Sequence, residues 1–270
     1  MSAQPIKLPR RITIPDIIAC KGVRPIVSLT AYTAPFARIL DLHTDILLVG
    51  DSLGMVLYGM DSTLPVTLDD MIRHGRAVVQ ASTHACIIVD MPFGSYQASP
   101  EQAFLSAAQV MKETGAQGVK LEGGVEMAET VAFLTARAIP VMAHIGLKPQ
   151  HVHSMGGYRY QGRNEVERDQ VMADAVAMEQ AGAFSLLLEG VEAALAAHVT
   201  RAALIPTIGI GAGQQCDGQI VVTEDMLGLF ERTPKFVRCF GNMRETVENA
   251  VQNYAAAVKD GSFPNNSESY

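Results

Sequence analysis

Apolar and polar positions along the chain fall into a unit that repeats. Short runs that are apolar almost throughout alternate with longer stretches whose apolar residues return every three or four positions. The first pattern reads as buried strands and the second as amphipathic helices. Strands are expected at 24–33, 45–51, 85–91, 116–123, 139–147, 183–190 and 205–213, and 218–228 is the least regular segment. Helices are expected at 34–43, 68–82, 99–115, 126–138, 167–182, 191–203 and 243–261. Thr67 stands where a cap is needed, and Ser99-Pro100 opens and Gly115 closes the third helix. An extra helix at 13–22 precedes the first strand and suits a plug for the N-terminal mouth of a barrel.

The strands do not alternate apolar with polar, which marks strands covered on both faces and therefore a parallel sheet. About eight βα units fit the length of a (β/α)8 TIM barrel. A doubly wound open sheet is the alternative. No Pro/Ser-rich linker interrupts the alternation, so 1–270 is expected to be one barrel domain, with about 264–270 as a flexible tail.

Composition narrows the partners. Hydrophobic residues make up 48% and charged residues 18% of the 270, enough for a large core. A net charge of −7 with no basic stripe argues against nucleic acid, whose phosphates need a concentrated positive face. No apolar run reaches the length of a membrane span. The N-terminal "MSAQPIKLPRRITIPDII" has basic residues with no apolar stretch behind them, so no signal peptide is expected. Cys20, Cys86, Cys216 and Cys239 have neither CxxC nor zinc-finger spacing and read as reduced thiols. A cytoplasmic enzyme is the expectation.

Four of the strands finish on a carboxylate. "DILLVGDS" brings Asp51, "CIIVDMPFG" Asp90, "GVKLEGG" Glu122 and "SLLLEG" Glu189, while "VMAHIGL" brings His144. In parallel α/β folds the site lies at the C-terminal strand ends, so these side chains are expected in one mouth. Taken singly, Asp51 also reads as a brace for the next turn, Glu122 as a solvated loop residue and His144 as a satisfied core histidine. Together, three neighbouring carboxylates repel unless a cation lies among them. All-oxygen ligation by few protein groups suits Mg²⁺. Lys120 shares a face with Glu122, two residues on. It reads either as half of a buried ion pair or as a cation aimed at a substrate carboxylate or a developing enolate.

With "VGDSLGMVLYGMDSTLPVTLDDMI", "DMPFGSY", "VKLEGG", "VMAHIGLKPQ", "GGYRYQGR", "LLLEGV" and "PTIGIGAG", the chain closely resembles the ketopantoate hydroxymethyltransferase family from about Thr13 to Phe263. The resemblance implies a barrel of the phosphoenolpyruvate-utilising superfamily type. It implies transfer of a hydroxymethyl unit from 5,10-methylenetetrahydrofolate to 3-methyl-2-oxobutanoate, giving 2-dehydropantoate for pantothenate and coenzyme A synthesis. It maps metal ligands onto Asp51 and Asp90, a metal-associated carboxylate onto Glu122, and substrate contacts onto Asp51, Ser52, Asp90 and Lys120. The general base maps onto Glu189, and assembly is expected as a homodecamer. His144 is added from the residues themselves as a substrate or alkoxide contact.

The long connection 147–168 is expected to be functional, with Gly156–Gly162 as a mobile lid and Tyr158, Arg159 and Tyr160 suited to a flat pterin ring. "GIGAG" at 209–213 lacks the dinucleotide spacing and reads as a tight turn. Two other readings compete: a Mg²⁺-dependent oxo-acid lyase or mutase of the isocitrate-lyase type, and a catalytically inert metabolite-binding protein. The first lacks its expected catalytic cysteine or acid loop in this chain.

Overall fold

Eight parallel strands close into a barrel in sequence order, in a computed structural model that describes residues 10–270. Residues 1–9, on which the signal-peptide reading partly rests, lie outside the described residues. The strands are β1 Ile26–Thr30, β2 Ile46–Val49, β3 Cys86–Asp90, β4 Gly118–Glu122, β5 Val141–Gly146, β6 Ser185–Glu189, β7 Thr207–Ile210 and β8 Gly218–Val221. The helices are α1 Ile14–Ile18, α2 Ala34–Leu40, α3 Leu53–Val56, α4 Leu68–Ala81, α5 Pro100–Thr114, α6 Ala128–Thr135, α7 Val152–Met155, α8 Glu165–Gln180, α9 Ala193–Ala202, α10 Thr223–Met226 and α11 Met243–Asp260. Sequential closure excludes the open doubly wound sheet. Contacts group the chain into two compact units, one ending at Ile220 and the other Val221–Tyr270. Within the second, α10 and α11 are followed by a 3-10 turn at Asn266–Glu268.

Each expected long helix forms, and its ends follow local chemistry. Thr67 and Asp70 make a reciprocal capping box at the start of α4, and Ser99 caps α5 by accepting from the Gln102 N–H. Such caps contribute about 1 kcal/mol each by satisfying otherwise orphaned backbone donors. The strands are shorter than the apolar runs suggest, because the end residues of each run turn into the loops. The connection after β5 is more ordered than expected. Pro149 starts a 3-10 turn over Pro149–His151, and α7 follows and stops at Gly156 in the left-handed conformation.

Residues of alternating parity separate two cores, as the pleat requires. Leu47, Val49, Ile87, Val89, Val119, Leu121, Val141, Ala143, Ile145, Leu186 and Leu188 pack in the cluster that includes the helices. Ile26, Ile46, Leu48, Cys86, Ile88, Met142, Leu187, Ile208 and Ile220 form a second cluster inside the barrel. Burying one such side chain stabilises by about 1.5–3 kcal/mol, so both layers resist a change of register. Ile17 and Cys20, from α1 and the turn after it, belong to the inner cluster. The extra helix therefore plugs the N-terminal mouth, as its apolar face suggests.

Candidate active site

Following the inner parity up each strand leads from hydrocarbon to charge. Cys86 and Ile88 are succeeded by Asp90, Gly118 by Lys120 and Glu122, Met142 by His144, and Leu187 by Glu189. Parallel register sets Asp90 beside Lys120 and Glu122 beside His144 on neighbouring strands. Asp51 lies two residues past the end of β2 rather than on it. It joins the group because its N–H donates to Asp90 Oδ2 at 3.1 Å. Gly50 allows that turn: a Cβ there would lie 2.7 Å from Ser52 Oγ. Ser52 Oγ is instead 2.8 Å from the hydroxyl of Tyr32. All seven residues singled out in the sequence thus gather at the C-terminal mouth.

The group is crowded with charge. Asp51, Asp90, Lys120, Glu122 and His144 are each at most 4% exposed. Lys120 Nζ is 3.2 Å from Asp90 Oδ2 and 3.1 Å from His144 Nδ1. Burial alone would pull the ammonium down, but Asp90, Glu122 and Asp51 outweigh it and the Lys120 pKa is raised. Lys120 is therefore a permanent cation. Burial also pushes Asp90 up to about 6, with Lys120 opposing the shift. Asp51 rises well above the usual carboxylate range, first from burial and then from repulsion by Asp90 and Glu122. One lysine does not neutralise three carboxylates.

His144 is neutral. Burial and then the Lys120 charge lower its pKa to about 3. Because an ammonium only donates, His144 Nδ1 accepts, and the ring proton sits on Nε2. That nitrogen lies 3.3 Å from Glu189 Oε2. Glu189 stands at the rim, its side chain 21% exposed. Burial raises its pKa to about 7, against the pull of Lys120. A carboxylate poised near neutrality is suited to taking and returning a proton.

Asp90 Oδ1 and Glu122 Oε1 are buried and make no hydrogen bond. Buried polar groups are normally satisfied, so these oxygens mark a place where something charged belongs. Among the described residues, no group of three His, Cys, Asp or Glu side chains is arranged to hold a metal ion by itself. The donor set, carboxylate oxygens only, fits Mg²⁺.

Two residues of this site carried no signal in the sequence. Gln150, after β5, donates its side-chain amide to Asp51 Oδ2 at 2.8 Å and its backbone N–H to Glu122 Oε2 at 3.0 Å. Tyr96, after β3, accepts from the Glu122 N–H at 3.1 Å and donates to Gln150 Oε1 at 2.7 Å. Both lie in motifs noted above, "VMAHIGLKPQ" and "DMPFGSY", but loops have no period to say which residue faces inward. Gly124 holds the β4 loop close to α8. A Cβ there would fall 2.0 Å from the Asp174 carboxyl, which accepts from the Val125 N–H. Beyond the 149–155 turn, a cavity of about 370 Å³ is lined by Lys148, His151, Met155, Gln161 and Gln170. It adjoins the site through His151, whose Nδ1 is 3.6 Å from Glu122 Oε2.

Fold and site together define a closed (β/α)8 barrel with a carboxylate-rich C-terminal mouth. Solved relatives by fold include a phosphonopyruvate hydrolase complexed with oxalate and Mg²⁺. It has a TM-score of 0.62 and 13% identity over 95% of this chain and 93% of that one. A 2,3-dimethylmalate lyase, itself a member of the PEP mutase/isocitrate lyase superfamily, has a TM-score of 0.56 at 18% identity, over 88% and 84%. The ketopantoate hydroxymethyltransferase profile matches residues 11–266, and the chain belongs to that family. Relatives named 3-methyl-2-oxobutanoate hydroxymethyltransferase include one from Rhizobium rhizogenes, 61% identical over 95% of this chain and 94% of its own. Another, from Maricaulis maris, is 55% identical over 100% and 98%.

Proposed function

We propose that the protein transfers a hydroxymethyl group from 5,10-methylenetetrahydrofolate to 3-methyl-2-oxobutanoate, giving 2-dehydropantoate for pantothenate and coenzyme A synthesis. Family membership supports the reaction. The observation that carries the chemistry is Glu189, a rim carboxylate with its pKa raised to about 7, facing a buried group of anions with free oxygens.

Asp51 and Asp90 are the residues that would hold Mg²⁺ directly, with Glu122 close beside them. A cation there would stabilise the negative charge that develops on the carboxylate and keto oxygens of the substrate. Lys120 supplies a fixed positive charge on the same side. Ser52 and His144 Nε2–H are donors for the substrate or the product alkoxide. Glu189 removes the proton from the carbon next to the keto group, and the resulting enolate attacks the one-carbon unit. A C–C bond forms, both bonds from that carbon to the folate nitrogens N5 and N10 break, water supplies the hydroxyl group, and the remaining water proton and the proton taken from the oxo acid end on the two nitrogens as tetrahydrofolate leaves. The exposed rings of Tyr158 and Tyr160 on the loop after β5 suit contact with the pterin. The same reading makes the protein a cytoplasmic homodecamer; no described helix is long and apolar enough to cross a membrane.

The test is direct. Purified protein should form 2-dehydropantoate from the two substrates, and EDTA should abolish this until Mg²⁺ is restored. Turnover that is indifferent to EDTA would remove the metal from the reading; absence of turnover would remove the reaction.

A further inference from the structure

The amide of Gln150 has one possible orientation, and the residues around it set that orientation independently at both ends. On one side is the Met91 carbonyl, 2.9 Å away, which only accepts. On the other is the amide of Gln97. Its oxygen already accepts from the N–H groups of Gly94 and Tyr96, so its nitrogen is what faces Gln150, at 3.1 Å. Gln150 must therefore turn its oxygen toward Gln97 and Tyr96 and its NH₂ toward Met91 and Asp51. The hydroxyl of Tyr96 is compatible with this: it takes the Glu122 N–H, and of its two acceptors Gln150 Oε1 at 2.7 Å is nearer than the Glu122 carbonyl at 3.2 Å.

The result is that one neutral residue, 5% exposed, ties two carboxylates of the group. Its side chain engages Asp51 Oδ2 and its backbone engages Glu122 Oε2. Each carboxylate is left with its other oxygen. For Glu122 that is Oε1, the buried atom without a hydrogen bond. We infer that Gln150, held by Tyr96, is a positioning residue that selects which oxygens of Asp51 and Glu122 face the ligand. A charged donor in its place would neutralise the site, and an acceptor would repel Asp51; an amide orients without doing either. This rests on the metal reading above. Residues that orient metal-binding carboxylates typically affect metal affinity by about 10–100-fold.

The experiment is a Mn²⁺ titration of the full-length protein without substrate, read by electron paramagnetic resonance of free Mn²⁺. Gln150→Met keeps the volume and the backbone N–H to Glu122 but loses all four side-chain amide contacts. Its Kd for Mn²⁺ should rise by about 10–100-fold, and saturating Mn²⁺ should restore most of kcat. Tyr96→Phe keeps the ring but removes one of the two donors to Gln150 Oε1 and the acceptor of the Glu122 N–H, so its Kd should rise too, by less. It also decides the matter if Gln150→Met does not fold. Parental Mn²⁺ affinity in a folded Gln150→Met protein, or in Tyr96→Phe where only that variant folds, overturns the assignment. A parent protein that binds no Mn²⁺ overturns the metal reading and this inference with it.

Discussion

His144 Nε2 lies 3.3 Å from Glu189 Oε2, and the proton on that nitrogen is fixed by Lys120 on the other side of the ring. The base is thus faced by a neutral donor, not by a second cation. An imidazolium there would pull the Glu189 pKa down toward the usual carboxylate range. A neutral ring leaves it near 7.

The proposed abstraction of a proton by Glu189 needs no folate. The protein should therefore exchange the proton next to the keto group of 3-methyl-2-oxobutanoate with deuterated water when only Mg²⁺ is added. Glu189 must be ionised to act, so the exchange rate should climb with pH and level off above about 7. Glu189→Gln should lower the rate by about two to four orders of magnitude, the usual contribution of a general base. Near-parental exchange in that variant, followed by NMR, would move the base elsewhere, with His144 the first to examine.

Asp90→Asn keeps the shape of the side chain and removes one of the proposed metal charges. Calorimetric titration should show weaker Mg²⁺-dependent binding of the oxo acid, while circular dichroism shows a folded barrel. Unchanged affinity for both metal and substrate would end the assignment of Asp90 as a ligand.

Lys120→Met removes the partner of a buried carboxylate. Breaking such a pair costs about 3–5 kcal/mol, because the remaining charge has no compensation. Urea unfolding at pH 8 should show a loss of that size. The deficit should shrink toward pH 5, since Asp90, already raised to about 6 in the parent, then takes a proton and no longer needs the ammonium. A pH-independent deficit would point to lost packing instead.

The loop after β5 should show two behaviours in hydrogen exchange. Its far end is tied down: the Gln161 N–H donates to the Gly190 carbonyl at 2.7 Å, and the Glu192 N–H donates to the Gln161 carbonyl at 2.9 Å. At Gly156 and Gly157, both at positive φ, an added Cβ would meet nothing within 4 Å, and only their N–H groups are held, by the carbonyls of His153 and Val152. Amides 156–160 should gain protection on saturation with both substrates, and amide 161 should be protected throughout. No change across 156–160 would exclude a lid.

The site was legible in the sequence where it sits on strands. Asp90, Lys120, Glu122, His144 and Glu189 continue the two-residue alternation that the inner core begins, so apolar patterning carries them to the right face. Asp51 was found as the end of an apolar run, although the strand stops at Val49 and the aspartate belongs to the turn. Gln150 and Tyr96 were missed because they approach from loops, where only three-dimensional contacts define inside. The short helices α3 and α7 were missed for a related reason: each is a single turn, too brief to show a helical period.

The pairing of Asp90 with Lys120 and of Glu122 with His144 is a matter of register. A slip of one residue between parallel strands turns every side chain to the opposite face. Were β4 to slip, Lys120 and Glu122 would enter the helix-packed hydrocarbon layer without partners. Burying even one uncompensated charge costs several kcal/mol, on the order of the whole stability of a typical domain when two are involved. Apolar strands of similar composition offer little to tell one alignment from the next. The charges proposed to serve chemistry in the finished barrel therefore also proofread its assembly, rejecting misaligned closures that greasy side chains alone would tolerate.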